Sequence, residues 1–378
     1  MPFLKAASIA TAGISKNSGR KKGAASPEPG RRGLFFAAIK RIDMDRLRTA
    51  VVGAGKMGEI HARVYSELPQ SNLVAIVDVD ADKAKRLAKK HRCESAQNVT
   101  ELIGKVDAVT ISAPTTEHFA LAKPLIEAGI AVLIEKPLAA DVGQARDIVA
   151  LAKKTGCLVA VGHSERCNPV VQAMKRLQIE PKFIEAARIS PYPFRSTDIG
   201  VVLDIMIHDI DIILSLAASK VVKVDAVGIG VIDPNNEDIC NARIVFENGC
   251  VANVTASRLA LKTERKVRVF SKQAYLSVDY FKKTGVVIKA APNIDVVEKI
   301  RQLKKSGTFA LLTAGWQDLL HRETLDVDDR EPLRLEQEAF LRAVADKSLR
   351  PEVIAEEGLA AMECAAMILE SMRQHKWE

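Results

Sequence analysis

Over residues 48–162, short and nearly continuous apolar runs alternate with amphipathic stretches. The runs TAVVG, LVAIVD, DAVTIS, AVLIE and CLVAVG consist mostly of Val, Ile, Leu and Ala. That composition marks strands buried on both faces of a parallel sheet. Helices are predicted between them, one from near Lys56 and others over residues 80–90, 116–128 and 141–154. Several of these begin after Asp or Thr, whose side chains can accept the free amide hydrogens of a first turn. Alternation of this density predicts an α/β fold with a Rossmann-type doubly wound parallel sheet.

The grammar changes near residue 166. FIEAARI, VVKVDAVGIGVI, NARIVFENGCVANVTASRL, KVRVFSKQAYLSVDY and GVVIKA alternate apolar with polar positions, and Asn248-Gly249 is a hairpin turn signal. A C-terminal α+β domain with a mostly antiparallel open sheet is therefore expected. VVLDIMIHDIDIILSLAA forms a helix ahead of most of it, and residues 331–375 form two helices broken near Leu349-Arg350-Pro351. A chain of 378 residues also exceeds the usual single-core limit. The expected division is a basic extension at 1–45, a Rossmann domain at 46–165, a substrate and oligomerisation domain at 166–335 and helices packing back on the body at 336–378.

Charge changes the picture only at one end. Residues 1–43 hold nine Lys or Arg and two acids, so the extension carries +7 of the formal +8. The body is almost neutral, which removes the main support for a nucleic-acid partner. Three readings of the extension stay open: a disordered basic arm, a transit peptide, or translation that starts at Met44. No apolar run reaches 18 residues, so no membrane span is expected. The cysteines, Cys93, Cys157, Cys167, Cys240, Cys250 and Cys364, show no C-x-x-C pair. Buried reduced thiols in a cytoplasmic protein are expected, without a zinc site.

Gly53-Ala54-Gly55-Lys56-Met57-Gly58 fits G-x-G-x-x-G between a strand and a helix, the context a dinucleotide-binding turn requires. Gly53 permits the turn, Gly55 the approach of a pyrophosphate and Gly58 close helix–strand packing, with the phosphates on free helical amides. Asp78 ends the second strand, where an acid accepts hydrogen bonds from ribose hydroxyls and repels a 2′-phosphate, so NAD is expected. The loop Ala113-Pro114-Thr115-Thr116-Glu117-His118 follows DAVTIS at the same edge and is expected to touch the cofactor, although His118 can equally be a packing residue. Glu135-Lys136-Pro137 ends AVLIE there too, and Lys136 can reach a substrate oxygen beside the nicotinamide. Asp204 and His208 lie four residues apart and share a helix face. Asp209 and Asp211 point away from that face, so no metal is expected.

These motifs, with VGHSERCNP after CLVAVG, resemble the Gfo/Idh/MocA family of oxidoreductases over roughly residues 46–376. The resemblance implies that Lys136, Asp204 and His208 form a catalytic cluster and that the open sheet mediates assembly into a homo-oligomer, a dimer or tetramer. Within the family the motifs look most like those of enzymes that oxidise the C3 hydroxyl of UDP-N-acetylglucosamine, despite Cys167 where Phe is usual. A nucleotide-sugar or sugar substrate follows. Either His208 or Lys136 serves as base, the other polarises the developing alkoxide, and Asp204 orients the hydroxyl. Glu135 and Arg166 are expected beside the cofactor, Arg166 and Asn168 beside the substrate, and Arg195 or Arg258 at a diphosphate. A free-sugar or inositol dehydrogenase is the alternative, and a non-catalytic dinucleotide-binding regulator a more distant one.

Overall fold

The computed structural model describes residues 46–192, 199–232, 234, 236–290, 298, 301, 302, 305 and 320–375. The basic extension and Arg195 lie outside the described residues.

The first domain forms as the apolar runs dictate. Strands β1 (Leu47–Val52), β2 (Ser71–Val77), β3 (Glu94–Ala96), β4 (Ala108–Ile111), β5 (Ala131–Glu135) and β6 (Val159–Gly162) pair in parallel in the order β3-β2-β1-β4-β5-β6. The pattern did not predict β3, which is three residues long and too polar and short to register as a run. Helices α1 (Lys56–Glu67), α2 (Ala81–His91), α3 (His118–Glu127) and α4 (Val142–Thr155) connect the strands. Asp80 and Asp141 cap α2 and α4, accepting from Asp82 and Lys83 amides and from the Gln144 amide respectively.

Helix α5 (Pro169–Arg176) leads into the second domain, whose strands are β7 (Phe183–Ile189), β8 (Val221–Ile229), β9 (Ile239–Phe246), β10 (Val251–Ser257), β11 (Glu264–Phe270), β12 (Ala274–Asp279), β13 (Thr284–Ala290) and β14 (Leu320–Thr324). Their order is β14-β13-β12-β11-β7-β10-β9-β8. All pairings are antiparallel except β7 with β10. Asn248-Gly249 makes the β9–β10 turn, with Gly249 at φ +79°. Ile184, Ala186 and Arg188 of β7 face inward and are buried, whereas Glu185 and Ala187 face the opposite, open side.

The helical stretch before β8 differs from expectation. Val202–Met206 winds as a π turn and only then continues as α6 (Ile207–Ala217). Apolar spacing over five residues cannot separate the two windings, and such turns recur at functional sites. The last helices, α7 (Pro332–Ala345) and α8 (Ala355–Gln374), return to the first domain: α7 packs on α1, and α8 on α4, α6 and β8.

Candidate active site

The carboxyl ends of β1, β2, β4, β5 and β6 converge on one edge, as ligand crevices do in doubly wound sheets. At β1, Gly53 holds φ +98°, and a Cβ on Gly58 would lie 1.8 Å from the Gly53 oxygen. Only glycine allows helix and strand to approach this closely. A Cβ on Gly55 would meet nothing within 4 Å, and α1 starts at Gly55 without a side-chain cap. The first-turn amides are thus open to an anion, with Lys56 and Met57 exposed beside them. The residues present fit a dinucleotide.

Asp78 reaches back to this loop. Its Oδ2 accepts from the Ala54 amide at 2.7 Å and its Oδ1 from the Asp80 amide at 2.8 Å. A carboxylate has lone pairs beyond those two bonds, so Asp78 can still accept from ribose hydroxyls. Ser112 Oγ donates to the oxygens of Val52 and Gly53, each at 3.2 Å, tying the β4 loop to the glycine turn. Ala113 is half-buried and Pro114 exposed at that edge.

Lys136 is brought onto the π turn of the second domain. Its Nζ donates to the Asp204 main-chain oxygen at 2.6 Å and to Asp204 Oδ1 at 3.2 Å. Both side chains remain partly exposed, at 18% and 25%. His208 follows one turn later, half-buried, with Nδ1 sealed from solvent and lacking a hydrogen-bond partner. Burial, then the Lys136 ammonium and the Arg188 guanidinium, hold its pKa well below the ordinary histidine range. It is a neutral imidazole at physiological pH.

A second buried histidine, His163, stands edge-on to His208, with ring centroids 6.2 Å apart and planes at 89°. Neither of its ring nitrogens has a partner, and burial lowers its pKa. His163 was not singled out from the sequence, where it is one polar residue after a strand.

The structure gives four further residues singled out from the sequence specific protein partners. His118 is buried, with Nδ1 3.0 Å from the Pro137 oxygen and Nε2 3.0 Å from the Ala113 oxygen. A neutral ring donates to one of these two oxygens, and His118 packs between the two loops of the crevice. Arg166 is buried too: its Nε lies 2.8 Å from Asp211 Oδ2 and its Nη2 2.5 Å from Asp211 Oδ1. Asn168 caps α5, accepting from the Val170 amide at 3.1 Å and donating to Glu165 at 3.2 Å. Arg258 is fully buried against Asp238 and donates to the Ile199 oxygen at 2.8 Å.

Asp209 and Asp211 do turn away from Asp204 and His208. Arg188 grips Asp209 through Nε at 2.7 Å and Nη2 at 3.0 Å, and reaches Glu165 at 3.2 Å. The two aspartates thereby lock α6 to β7 and to the turn after β6. Glu165 also accepts from Arg265 of β11 at 3.2 Å, and Arg265 remains 41% exposed. That guanidinium is among the charges lowering the His208 pKa. Nothing in the residue pattern singles it out. Among the described residues, no cluster of three or more His, Cys, Asp or Glu could hold a metal ion, and no helix is long and apolar enough to cross a membrane.

A glycine turn, an acid at the end of β2 and a Lys136–Asp204 pair one turn before His208 fit a nicotinamide-dependent oxidoreductase. Comparison with known proteins agrees. Residues 47–163 match the oxidoreductase family with an NAD-binding Rossmann fold, and residues 185–277 match the GFO/IDH/MocA C-terminal domain. The chain is 33% identical to UDP-N-acetylglucosamine 3-dehydrogenase of Acidithiobacillus ferrooxidans over 80% of its own length and 90% of the relative's. The solved structure of that enzyme superposes with TM-score 0.77 at 30% identity, covering 88% of this chain and 99% of that one. Inositol 2-dehydrogenase of Rhizobium meliloti is 27% identical over 50% of this chain and 60% of the relative. The chain belongs to the GFO/IDH/MocA family of oxidoreductases.

Proposed function

We propose that this protein oxidises the C3 hydroxyl of UDP-N-acetylglucosamine to a ketone with NAD as acceptor. The observation that carries the chemistry is the Lys136 ammonium held on Asp204 beside a neutral His208. The nucleotide sugar is favoured over inositol by the greater identity and coverage of the UDP-N-acetylglucosamine relative.

In this reading the O–H proton passes to His208 as the carbon-bound hydrogen leaves with its electron pair. NAD, when bound, supplies the acceptor for that hydride. With Nδ1 sealed, Nε2 is the ring nitrogen available to the substrate hydroxyl. The Lys136 ammonium, already a donor to Asp204, stabilises the developing alkoxide and leaves the role of base to His208. Asp204 holds the lysine and orients the hydroxyl. Arg265, partly exposed on β11, replaces Arg258 as the cation for the diphosphate.

The six cysteines are free thiols, which supports a reducing, cytoplasmic setting. The open face of the second sheet carries cross-strand pairs such as Asn241–Thr255 at 2.8 Å and Arg243–Asn253 at 3.1 Å beside a Phe183–Phe270–Tyr275 cluster. This mixed surface supports pairing with a second copy, giving a dimer or tetramer.

Thermal shift with NAD and a panel of UDP-sugars and free polyols tests the substrate, since a bound ligand stabilises the fold according to occupancy. UDP-N-acetylglucosamine should give the largest shift in the presence of NAD. A response to inositol but to no UDP-sugar would turn the reading toward the inositol dehydrogenases.

A further inference from the structure

Behind Lys136 lies a buried polar chain that the chemistry above leaves unused. Glu135 is buried at the end of β5, immediately before Lys136. Its Oε2 accepts from the Lys136 main-chain amide at 3.2 Å, and its Oε1 lies 2.8 Å from Nε2 of His61. His61 is fully buried on α1, and its Nδ1 lies 3.0 Å from Nε2 of Gln337, itself fully buried on α7. The Gln337 amide in this orientation donates, so Nδ1 is the accepting nitrogen and Nε2–H donates to the carboxylate. Every link then has a matching donor and acceptor, running from α7 to the backbone of the lysine.

The carboxylate is also walled from the other side. A Cβ on Gly162 would lie 3.0 Å from the Glu135 Cα and 3.1 Å from its Cδ and Oε1. The absence of a side chain on Gly162 of β6 thus leaves the space that Glu135 occupies. Burial raises the pKa of this carboxyl, and the His61 hydrogen bond and nearby positive charge bring it below the ordinary carboxylate value. A buried carboxylate left without such partners is strongly destabilising, so the chain fixes Glu135 in place.

We propose that His61 is a positioning residue for Lys136, acting through the Glu135 carboxylate on the lysine main chain. The placement of the Nζ against Asp204 then depends on α1 and α7, neither of which reaches the reacting atoms. A displacement of about 1 Å at the ammonium is enough to slow turnover by about 100-fold. This inference rests on Lys136 being catalytic, as proposed above.

The test is a comparison of His61→Phe, which keeps ring volume without hydrogen bonds, with His61→Gln, whose amide can donate to Glu135. NADH formation with UDP-N-acetylglucosamine is measured in wild-type and Lys136→Ala backgrounds. His61→Phe is expected to lower kcat by about 10- to 100-fold while KM for NAD holds. His61→Gln is expected to recover most of the loss, and neither change should cost anything further once Lys136 is Ala. Equal losses in both backgrounds, no rescue by Gln, or unchanged kcat in His61→Phe would each overturn the proposal. If His61→Phe does not fold, Gln337→Leu, which leaves the His61–Glu135 bond in place, must lower kcat in the same direction by a smaller factor. Full activity of Lys136→Ala alone would instead overturn the catalytic reading on which the inference rests.

Discussion

The Lys136 ammonium donates at 2.6 Å to the main-chain oxygen of Asp204, joining the turn after β5 to the π turn of the second domain. The lysine comes from one domain and its acceptor from the other, so the site exists only when both are folded together.

Lys136→Met keeps the length of the side chain and removes the charge. It should lower kcat by about 10³-fold, in the range of lost electrostatic and acid–base assistance. NAD affinity, measured by calorimetry, should be little changed, because the glycine turn and Asp78 are untouched.

The pH dependence follows from the direction of the histidine shifts. Burial lowers the pKa of His208, His163 and His118, so all three stay neutral in the fold below the ordinary value of about 6.5. The base is therefore in its active form across that range, and kcat/KM should show no fall as pH drops from about 7.5 to about 6. Stability has the opposite response: below about 6.5 the unfolded chain takes up protons these buried rings refuse, so Tm should decline with pH there. A kcat/KM that halves near pH 6.5 while Tm stays flat would contradict both.

Asp78 links cofactor choice to loop geometry through its bond to the Ala54 amide. Asp78→Ser should raise KM for NAD by about tenfold, the worth of about 1.4 kcal/mol, and narrow the preference over NADP. Kinetics with both cofactors measure it. Undiminished discrimination would remove Asp78 from the ribose site.

Arg265 is proposed as the cation for the diphosphate because it is partly exposed and anchored by Glu165. Arg265→Ala should raise KM for UDP-N-acetylglucosamine by about 10-fold or more, the order of a lost charged hydrogen bond. KM for NAD should hold. Equal effects on both would place the arginine elsewhere in the binding scheme.

What the sequence carried well were features that repeat or sit in context. Five strands of the first sheet stand out because strands buried on both faces are continuously apolar, and the glycine turn gains meaning from lying between a strand and a helix. Lys136, Asp204 and His208 were legible through their motifs, and the structure brings Lys136 and Asp204 into contact. Residues whose role depends on a distant partner were not. Arg166 reads as a site residue until Asp211, 45 positions later, takes its guanidinium. His61 reads as an ordinary helical histidine until Glu135, 74 positions later, meets its ring. His163 and Arg265 likewise acquire meaning only from neighbours on other elements. The π turn was hidden for another reason: an apolar run fixes a buried face, not the number of residues per turn.

The most direct measurement follows the hydrogen itself. UDP-N-acetylglucosamine deuterated at C3 is incubated with the protein and NAD, and the NADH formed is analysed by mass. The account predicts NADH carrying the deuteron, formed at a rate that collapses in His208→Ala. Unlabelled NADH, or no NADH from this substrate while a free polyol is oxidised, would contradict it.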